Sequence, residues 1–299
     1  DKNGFIWLGT GEGLCRFDGF RFTDDFTSDS LPPAFVKETF RDRQGILWFG
    51  HNDGSITRYD GTSFTIINTQ GMNRSTINDI VQDTSGNILF ATQKQGIIIV
   101  HPDQQVKILT EPFRRKLLSS LCFTPQGKLL VGTYDGLHLY EFDAARDTAW
   151  AVSKISQIPN TVINSIIKRK NSELYLIGTQ DEGLYAVKTA STGNPEEVFK
   201  LETSTSLKYS FIQDLTEDSR DHIWISTQGE GIYKIELSAD SRSITDLINF
   251  NEKNGLGSMN NRDVYEDYEG NIWIGTYGKG LAALFDEAFV FYDFEPELG

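Results

Sequence analysis

One short phrase recurs seven times along the chain and constrains its fold more than any other feature. It reads Asp-x-x-Gly-x-Ile/Leu-Trp-x-Gly-Thr, and its clearest copies span residues 1–10 and 267–276. The Trp position falls at residues 7, 48, 89, 130, 176, 224 and 273, which are 41 to 49 residues apart. A period of this length, with short apolar segments between Gly turns, is typical of β-propellers and not of helical solenoids.

Each repeat contains the pattern of four strands. An apolar segment precedes the Asp-x-x-Gly turn, the Trp segment follows it, Gly-Leu/Ile-x-x-Tyr/Phe starts a third strand, and an aromatic-rich segment forms the outer strand. β-Branched and aromatic residues at period two between Gly, Asp and Asn turns favour strands. We therefore expect an all-β protein, a seven-bladed β-propeller of four-stranded antiparallel blades, with minimal helix. Residues 1–299 are expected to form this single propeller, with repeats starting near 1, 42, 83, 124, 169, 218 and 267.

The first blade is expected to differ from the other six. The sequence starts at the first Asp-x-x-Gly turn, so this blade should lack its inner strand, which leaves 27 strands in total. We expect a longer parent protein to supply the missing strand from upstream of residue 1.

The repeated residues have structural explanations. The Gly of Asp-x-x-Gly supplies the positive φ that a tight turn needs, and the Asp side chain can accept backbone N–H bonds within the turn. The Gly before Thr leaves room where neighbouring blades approach, and the Trp ring fills the space between sheets. A scaffold residue recurs in every blade whereas a site residue need not, so the repetition removes these residues from the catalytic candidates.

The net charge limits the classes of partner that the protein can bind. The formal net charge is −14, from 42 acidic and 28 basic residues, and a surface this acidic repels phosphate backbones. We therefore expect no nucleic-acid binding. The densest basic run, residues 114–116, is interpreted as a solvated loop. The two cysteines, Cys15 and Cys122, fall in different repeats and predict neither a disulfide nor a zinc site.

No motif indicates catalysis. The glycine-rich segment 9–13 precedes a strand, whereas a phosphate-binding loop would precede a helix. Carboxylates are plentiful, but nothing singles out one pair. The histidines occur in four different repeats, and we expect them at the surface or in turns. The sequence therefore predicts no catalytic residue, no metal and no cofactor. The four histidines are His51, His101, His138 and His222.

Three segments carry a resemblance to a known family. Residues 4–22, 271–276 and 254–261 closely resemble the two-component regulator propeller repeat and its connector. The resemblance implies the extracytoplasmic sensor region of a hybrid two-component histidine kinase of the Bacteroidetes type, hence a periplasmic location. It also implies an adjacent propeller and a β-sandwich in the parent chain, a membrane span in the parent only, and an oligosaccharide as the usual input.

Binding is expected where loops from all blades converge, at the inter-blade connectors and the turns between second and third strands. Aromatic, amide and acidic groups there suit sugar faces and hydroxyls. We expect a non-enzymatic sensor that can form a homodimer. The alternatives are a propeller enzyme (a polysaccharide lyase, a glycosidase or a streptogramin-type lyase) and a protein-interaction platform without a small ligand. The candidate ligand-binding residues are Arg74, Tyr134, Asp135, Gln180, Gln228, Tyr277 and Lys279.

Overall fold

Alternating apolar residues and Gly turns produce a structure made almost entirely of β-strands. The computed structural model describes residues 1–24, 35–69, 75–202, 206–285 and 288–292. Its 27 described strands form seven antiparallel sheets, six of four strands and one of three. These sheets are the blades of the predicted seven-bladed β-propeller, and the first blade has three strands, as expected. Two 3-10 helices, Ser206–Tyr209 and Glu252–Asn254, lie in connectors.

The chain comprises two compact units. Unit 1, residues 1–134 and 138–154, holds blades 1 to 4 apart from two residues of β14. Each blade is an up-and-down meander whose strands run from the inner to the outer position in chain order. The strands of blades 1 to 4 are β1 (Ile6–Thr10), β2 (Gly13–Phe17) and β3 (Phe22–Thr23); β4 (Val36–Arg41), β5 (Leu47–His51), β6 (Ile56–Tyr59) and β7 (Phe64–Ile66); β8 (Ile77–Gln82), β9 (Ile88–Thr92), β10 (Gly96–Val100) and β11 (Val106–Leu109); and β12 (Leu118–Phe123), β13 (Leu129–Thr133), β14 (Gly136–Asp143) and β15 (Thr148–Lys154).

Unit 2, residues 135–137 and 155–299, holds blades 5 to 7. Its sheets have the same strand order. The strands of blades 5 to 7 are β16 (Ile163–Lys168), β17 (Leu174–Thr179), β18 (Leu184–Thr189) and β19 (Pro195–Lys200); β20 (Ile212–Glu217), β21 (Ile223–Thr227), β22 (Ile232–Leu237) and β23 (Ile244–Phe250); and β24 (Asn261–Glu266), β25 (Ile272–Thr276), β26 (Leu281–Phe285) and β27 (Ala288–Tyr292). No helix among the described residues is both long and apolar enough to cross a membrane.

The Asp and the Trp of the repeat are joined by a hydrogen bond. In blade 2, Asp42 Oδ1 accepts the backbone N–H of Gln44 and Ile46 at 3.0 and 2.9 Å, as the turn motif predicts. Asp42 Oδ2 accepts the indole N–H of Trp48 at 2.9 Å. We call this carboxylate and its three donors the turn latch. The indole bond recurs at 2.7–2.8 Å in three more blades, as Trp7–Asp1, Trp224–Asp218 and Trp273–Asp267.

The turn latch has a different donor in blade 3, whose repeat lacks the Trp. In blade 3, Leu89 occupies the Trp position, and the side-chain amide of Asn87 donates to Asp83 Oδ2 at 2.7 Å instead. The second carboxylate oxygen therefore keeps a donor without an indole. The sequence shows the six-residue spacing of Asp and Trp, and the bond explains why the two residues occur together.

The cores lie between consecutive blades. Between blades 3 and 4, for example, Leu89, Leu121 and Val131 belong to one apolar cluster and are at most 2 % exposed. Burying such a side chain contributes about 1.5–3 kcal/mol. The Gly before Thr permits this packing, because a Cβ on Gly50 would lie 2.4 Å from Ile77 of the next blade. The predicted role of this glycine is confirmed there.

The prediction of surface or turn histidines is wrong for two of the four. His51 is 1 % exposed in β5, and its Nε2 lies 2.9 Å from Thr57 Oγ1. His138 is 8 % exposed in β14. Both occupy central strands, where a neighbouring hydroxyl or amine satisfies the ring. His101 and His222 lie in turns, as expected.

Candidate functional site

Four of the predicted site residues occupy one position of the repeat. This rim position follows the Thr that ends the second strand, and its backbone N–H donates to the carbonyl just before or at the start of the inner strand. The bonds are Tyr134 to Leu117 at 3.1 Å, Gln180 to Val162 at 3.0 Å, Gln228 to Phe211 at 3.0 Å and Tyr277 to Asn260 at 2.9 Å. All four side chains are exposed. The bond fixes each of them where a connector enters its blade.

A second set of polar side chains lies beside the rim position and was missed by the sequence analysis. Every inner strand described, in blades 2 to 7, contains a register shift at its second residue. A β-bulge inserts one unpaired residue and redirects its side chain. The inserted residues are all polar, which was the available signal. These bulge residues are Lys37, Asn78, Ser119, Asn164, Gln213 and Arg262.

In blades 6 and 7 the bulge residue meets the rim residue of its own blade. In blade 6, Gln213 Nε2 donates to Gln228 Oε1 at 3.1 Å. In blade 7, the guanidinium of Arg262 lies 5.3 Å from the ring centroid of Tyr277, which is 64 % exposed. Blades 6 and 7 therefore present amide groups and a cation-backed aromatic ring to solvent.

The other bulge residues have structural partners. Asn78 and Asn164 donate their side-chain N–H to the carbonyls of Leu118 and Ile212, at 2.7 and 2.8 Å. Each bond joins one inner strand to the next blade within its unit. The amide thus links blades in the early repeats, while Gln213 and Arg262 turn towards the rim.

The remaining predicted residues are placed as follows. Asp135 and Lys279 are exposed in the turns between second and third strands of blades 4 and 7. In unit 1 the hydroxyl of Tyr134 accepts a bond from Gln93 Nε2 at 3.0 Å, so the rim residues of blades 3 and 4 are joined. Arg74 lies outside the described residues.

Two carboxyl groups lie beneath the rim of unit 2. Burial, followed by the negative charge of Asp263, raises the pKa of Asp214 well above its usual value. Asp263 is partly open to solvent, but the surrounding protein desolvates it and raises its pKa, while a hydrogen bond from Asp214 opposes the rise. Ser165 Oγ also donates to Asp214 Oδ1 at 2.9 Å. The raised pKa favours the protonated form of Asp214, which can then donate a hydrogen bond to Asp263.

Metal binding has no geometric support in the part of the chain that is described. No group of three or more His, Cys, Asp or Glu side chains converges there to hold an ion. The rim instead offers amide, aromatic, guanidinium and carboxyl groups, which bind hydroxyl-rich ligands through hydrogen bonds and ring contacts.

The fold places the chain among known seven-bladed β-propellers. It superposes on virginiamycin B lyase from Staphylococcus aureus with a TM-score of 0.70 and 10 % identity, covering 98 % of this chain and 89 % of that one. PorZ, a surface component of the type-IX secretion system of Porphyromonas gingivalis, gives 0.68 and 17 % identity over 93 % of this chain and 44 % of its own. At these identities the likeness shows the fold alone.

One repeat of the chain also matches a family model. The model of the family "Two component regulator propeller" matches residues 255–278, which run from the last connector to the rim of blade 7. This segment therefore carries the two-component regulator repeat, and the resemblance predicted from the sequence is confirmed.

The extracellular domain of a two-component system has the same fold. The extracellular domain of a putative hybrid two-component system from B. thetaiotaomicron superposes with a TM-score of 0.58 and 19 % identity. The match covers 98 % of this chain but 45 % of that one, so the chain spans less than half of that domain and of PorZ. No curated protein matches the chain by sequence.

Proposed function

We propose that the chain is a non-enzymatic ligand-sensing propeller from the extracytoplasmic region of a hybrid two-component sensor, and that its ligand is an oligosaccharide. In the proposed parent protein, ligand binding is relayed to a cytoplasmic histidine kinase, and the propeller lies in the periplasm beside a second propeller and a β-sandwich. The two-component regulator repeat and the shared fold of an extracellular sensor domain support this proposal.

The observation that carries the proposal is the pairing of bulge and rim side chains in blades 6 and 7. Tyr277 offers an exposed ring backed by Arg262, and Gln213 and Gln228 hold each other at the adjacent rim. Aromatic faces and fixed amides are the groups that sugar rings and hydroxyls need. A ligand bound there would shift a signalling equilibrium only by binding one arrangement of the parent protein more tightly.

Thermal-shift screening against an oligosaccharide library tests this proposal. A ligand at 100 times its Kd stabilises the folded state by about 2.7 kcal/mol, which raises Tm measurably. Tyr277→Ala and Gln228→Ala should reduce the shift. Tyr268→Ala is the matched control, because Tyr268 is 66 % exposed in the Asp267 turn, before the second strand of blade 7. A library that leaves Tm unchanged would contradict the proposal, and would favour a platform for protein partners.

A propeller hydrolase is the second candidate, and the Asp214–Asp263 pair is the observation that favours it. Two neighbouring carboxyl groups whose pKa values are raised can share a proton, and such a pair can serve as acid and base in hydrolysis. Incubating the chain with oligosaccharides and separating the products tests it. If products form and the Asp214→Asn variant abolishes them, the chain is an enzyme, and the sensor proposal fails.

A further inference from the structure

A cluster of basic side chains lies on unit 1 of this acidic protein. The connector between β11 and β12 carries Arg114, Arg115 and Lys116, and the turn between β9 and β10 carries Lys94. We call these four residues the basic connector patch. The chain has a net charge of −14, so the patch differs in sign from the protein as a whole. Local charge of opposite sign concentrates ligands that the rest of the surface repels.

Backbone contacts join the turn to both ends of the connector, so the four basic residues lie on two adjoining segments. At one end, a Cβ on Gly96 would lie 2.2 Å from the carbonyl oxygen of Leu109, so the turn packs tightly on the start of the connector. At the other end, the backbone N–H of Leu118 donates to the carbonyl of Gln93 at 3.2 Å. Lys94 therefore leaves the turn beside the connector.

The connector is fixed in place by its own contacts. Phe113 is 1 % exposed and its ring lies 4.7 Å from that of Tyr140. The backbone N–H of Lys116 donates to the Phe113 carbonyl at 2.9 Å, and Lys116 Nζ lies 3.3 Å from His138 Nε2. Side chains on an ordered loop lose less entropy on binding than those on a disordered one. Arg114 and Arg115 are exposed, in agreement with the solvated loop expected for residues 114–116, and the contacts of Phe113 and Lys116 hold that loop in place.

Glu111 lies beside the patch but offsets the positive charge of Arg114 only weakly. Arg114 Nη1 lies 3.9 Å from Glu111 Oε1, and the two side chains are 73 % and 71 % exposed. Exposed pairs of this kind contribute about 0–1 kcal/mol. The guanidinium of Arg114 can therefore exchange this carboxylate for one on a ligand at little cost.

An exposed aromatic ring adjoins the connector. The backbone N–H of Tyr134 donates to the Leu117 carbonyl at 3.1 Å, and Gln93 Nε2 donates to its hydroxyl at 3.0 Å. The side chain is 42 % exposed. A ring held at both its backbone and its hydroxyl offers a fixed face for a sugar, beside cations that bind an acid group.

We propose that the basic connector patch and Tyr134 bind an anionic oligosaccharide, a saccharide that carries carboxylate or sulfate groups. Arginine binds both groups through paired N–H donors, and lysine adds charge. Tyr134 contacts the ring of the same sugar. This inference rests on the proposed function and goes beyond it, because it assigns to unit 1 a second saccharide site, in addition to the one proposed at the rim of blades 6 and 7 in unit 2.

Matched pairs of ligands test the inference on the 299-residue chain. Calorimetry compares oligogalacturonates with neutral galacto-oligosaccharides of equal length, and a sulfated disaccharide with its desulfated form. We expect the acidic member of at least one pair to bind at least tenfold more tightly, and its affinity to fall as salt rises. The first pair reports on carboxylate and the second on sulfate.

Variants locate the site. Arg114→Ala/Arg115→Ala and Lys94→Ala should each weaken the acidic ligand several-fold without changing Tm in its absence. Arg146→Ala is the control, because its side chain is 80 % exposed in a turn at the outer edge of blade 4. If all these variants bind the acidic saccharide as tightly as the wild type does, the basic connector patch is not its binding site. Equal binding of neutral and acidic members would overturn the inference and leave the oligosaccharide proposal standing, whereas no binding by any saccharide contradicts both.

Discussion

In each of four blades a single carboxylate accepts two backbone N–H groups and an indole N–H, and in blades 6 and 7 it also contacts the side chain of His222 or Asn271. In blade 2, Asp42 is 7 % exposed and accepts the indole of the 5 % exposed Trp48. Losing one partner leaves buried donors without an acceptor, which costs more than a hydrogen bond contributes on average. The Asp is therefore as much a part of the inter-blade packing as the ring that it holds.

Asp42→Ala tests the latch. Three donors lose their acceptor, so we expect the free energy of unfolding to fall by about 2–4 kcal/mol. Urea titration followed by circular dichroism measures it. Asp103→Ala is the control, because Asp103 is an exposed turn residue that accepts one bond, from Gln105 at 3.1 Å. Equal losses in the two variants would show that the indole bond contributes nothing beyond the turn.

The raised pKa of Asp79 predicts that the free energy of unfolding falls as the pH rises. Burial raises its pKa from the model-peptide value of 3.8 to about 6, against the opposing backbone N–H bonds of Leu121 and Ile80. Between these values the folded protein holds a proton that the unfolded chain has released. The stabilising contribution is complete below about pH 4 and is lost as the pH rises through 6.

The Asp79→Asn variant removes this titration and keeps an oxygen to accept the Leu121 N–H. Urea titrations between pH 4 and 7 should therefore show the wild type losing stability relative to the variant, by about 1–3 kcal/mol. Parallel stability curves for the two proteins would contradict the raised pKa.

At the scale of elements, the last-but-one residue of the second strand, which is glycine in five of the seven blades, affects how closely the next inner strand packs. A Cβ on Gly50 would lie 2.4 Å from Ile77, and one on Gly178 would lie 2.6 Å from Ile212. At the equivalent Gly275, the nearest atom is 3.9 Å away. The same motif residue is thus under different steric constraint in different blades.

Alanine substitutions at these three positions distinguish the tightly packed glycines from the loosely packed one. Gly50→Ala and Gly178→Ala should lower Tm by several degrees, since overpacking costs about 1–3 kcal/mol. Gly275→Ala should change it little and serves as the control. In the double variant Gly50→Ala/Ile77→Ala the two losses should be less than additive, because Ile77→Ala removes the Cγ atoms nearest to the added methyl group. Equal effects at all three positions would contradict the packing argument.

The strands were predictable from the sequence because their period and turn residues are local. The count of 27 strands and the short first blade follow from residues 1–10 and their six later copies. The β-bulges were only partly predictable: the polar second residue of each inner strand was a local sign of them, but the register shift itself depends on a pairing partner that the sequence does not show. For the same reason the rim residues Gln228 and Tyr277 were foreseen, but their partners Gln213 and Arg262 were not.

At the scale of the whole molecule, the acidic surface opposes folding. A net charge of −14 brings like charges together in the compact state, and salt screens them. Tm at pH 7.5 should therefore rise by about 2–4 °C between 20 and 300 mM NaCl. The rise should vanish near pH 4.7, the sequence isoelectric point. A fall in Tm would mean that specific pairs such as Arg169–Glu217 outweigh the general repulsion.

The turn latches also determine which part of the protein tryptophan fluorescence reports on during unfolding. Four of the five tryptophans, Trp7, Trp48, Trp224 and Trp273, donate to latch carboxylates in blades 1, 2, 6 and 7, while Trp150 is 52 % exposed on β15. In a Trp150→Phe variant, all indole fluorescence would come from latches. A red shift on heating would then record the opening of those four blades, and the loss of structure in blades 3, 4 and 5 would pass unseen.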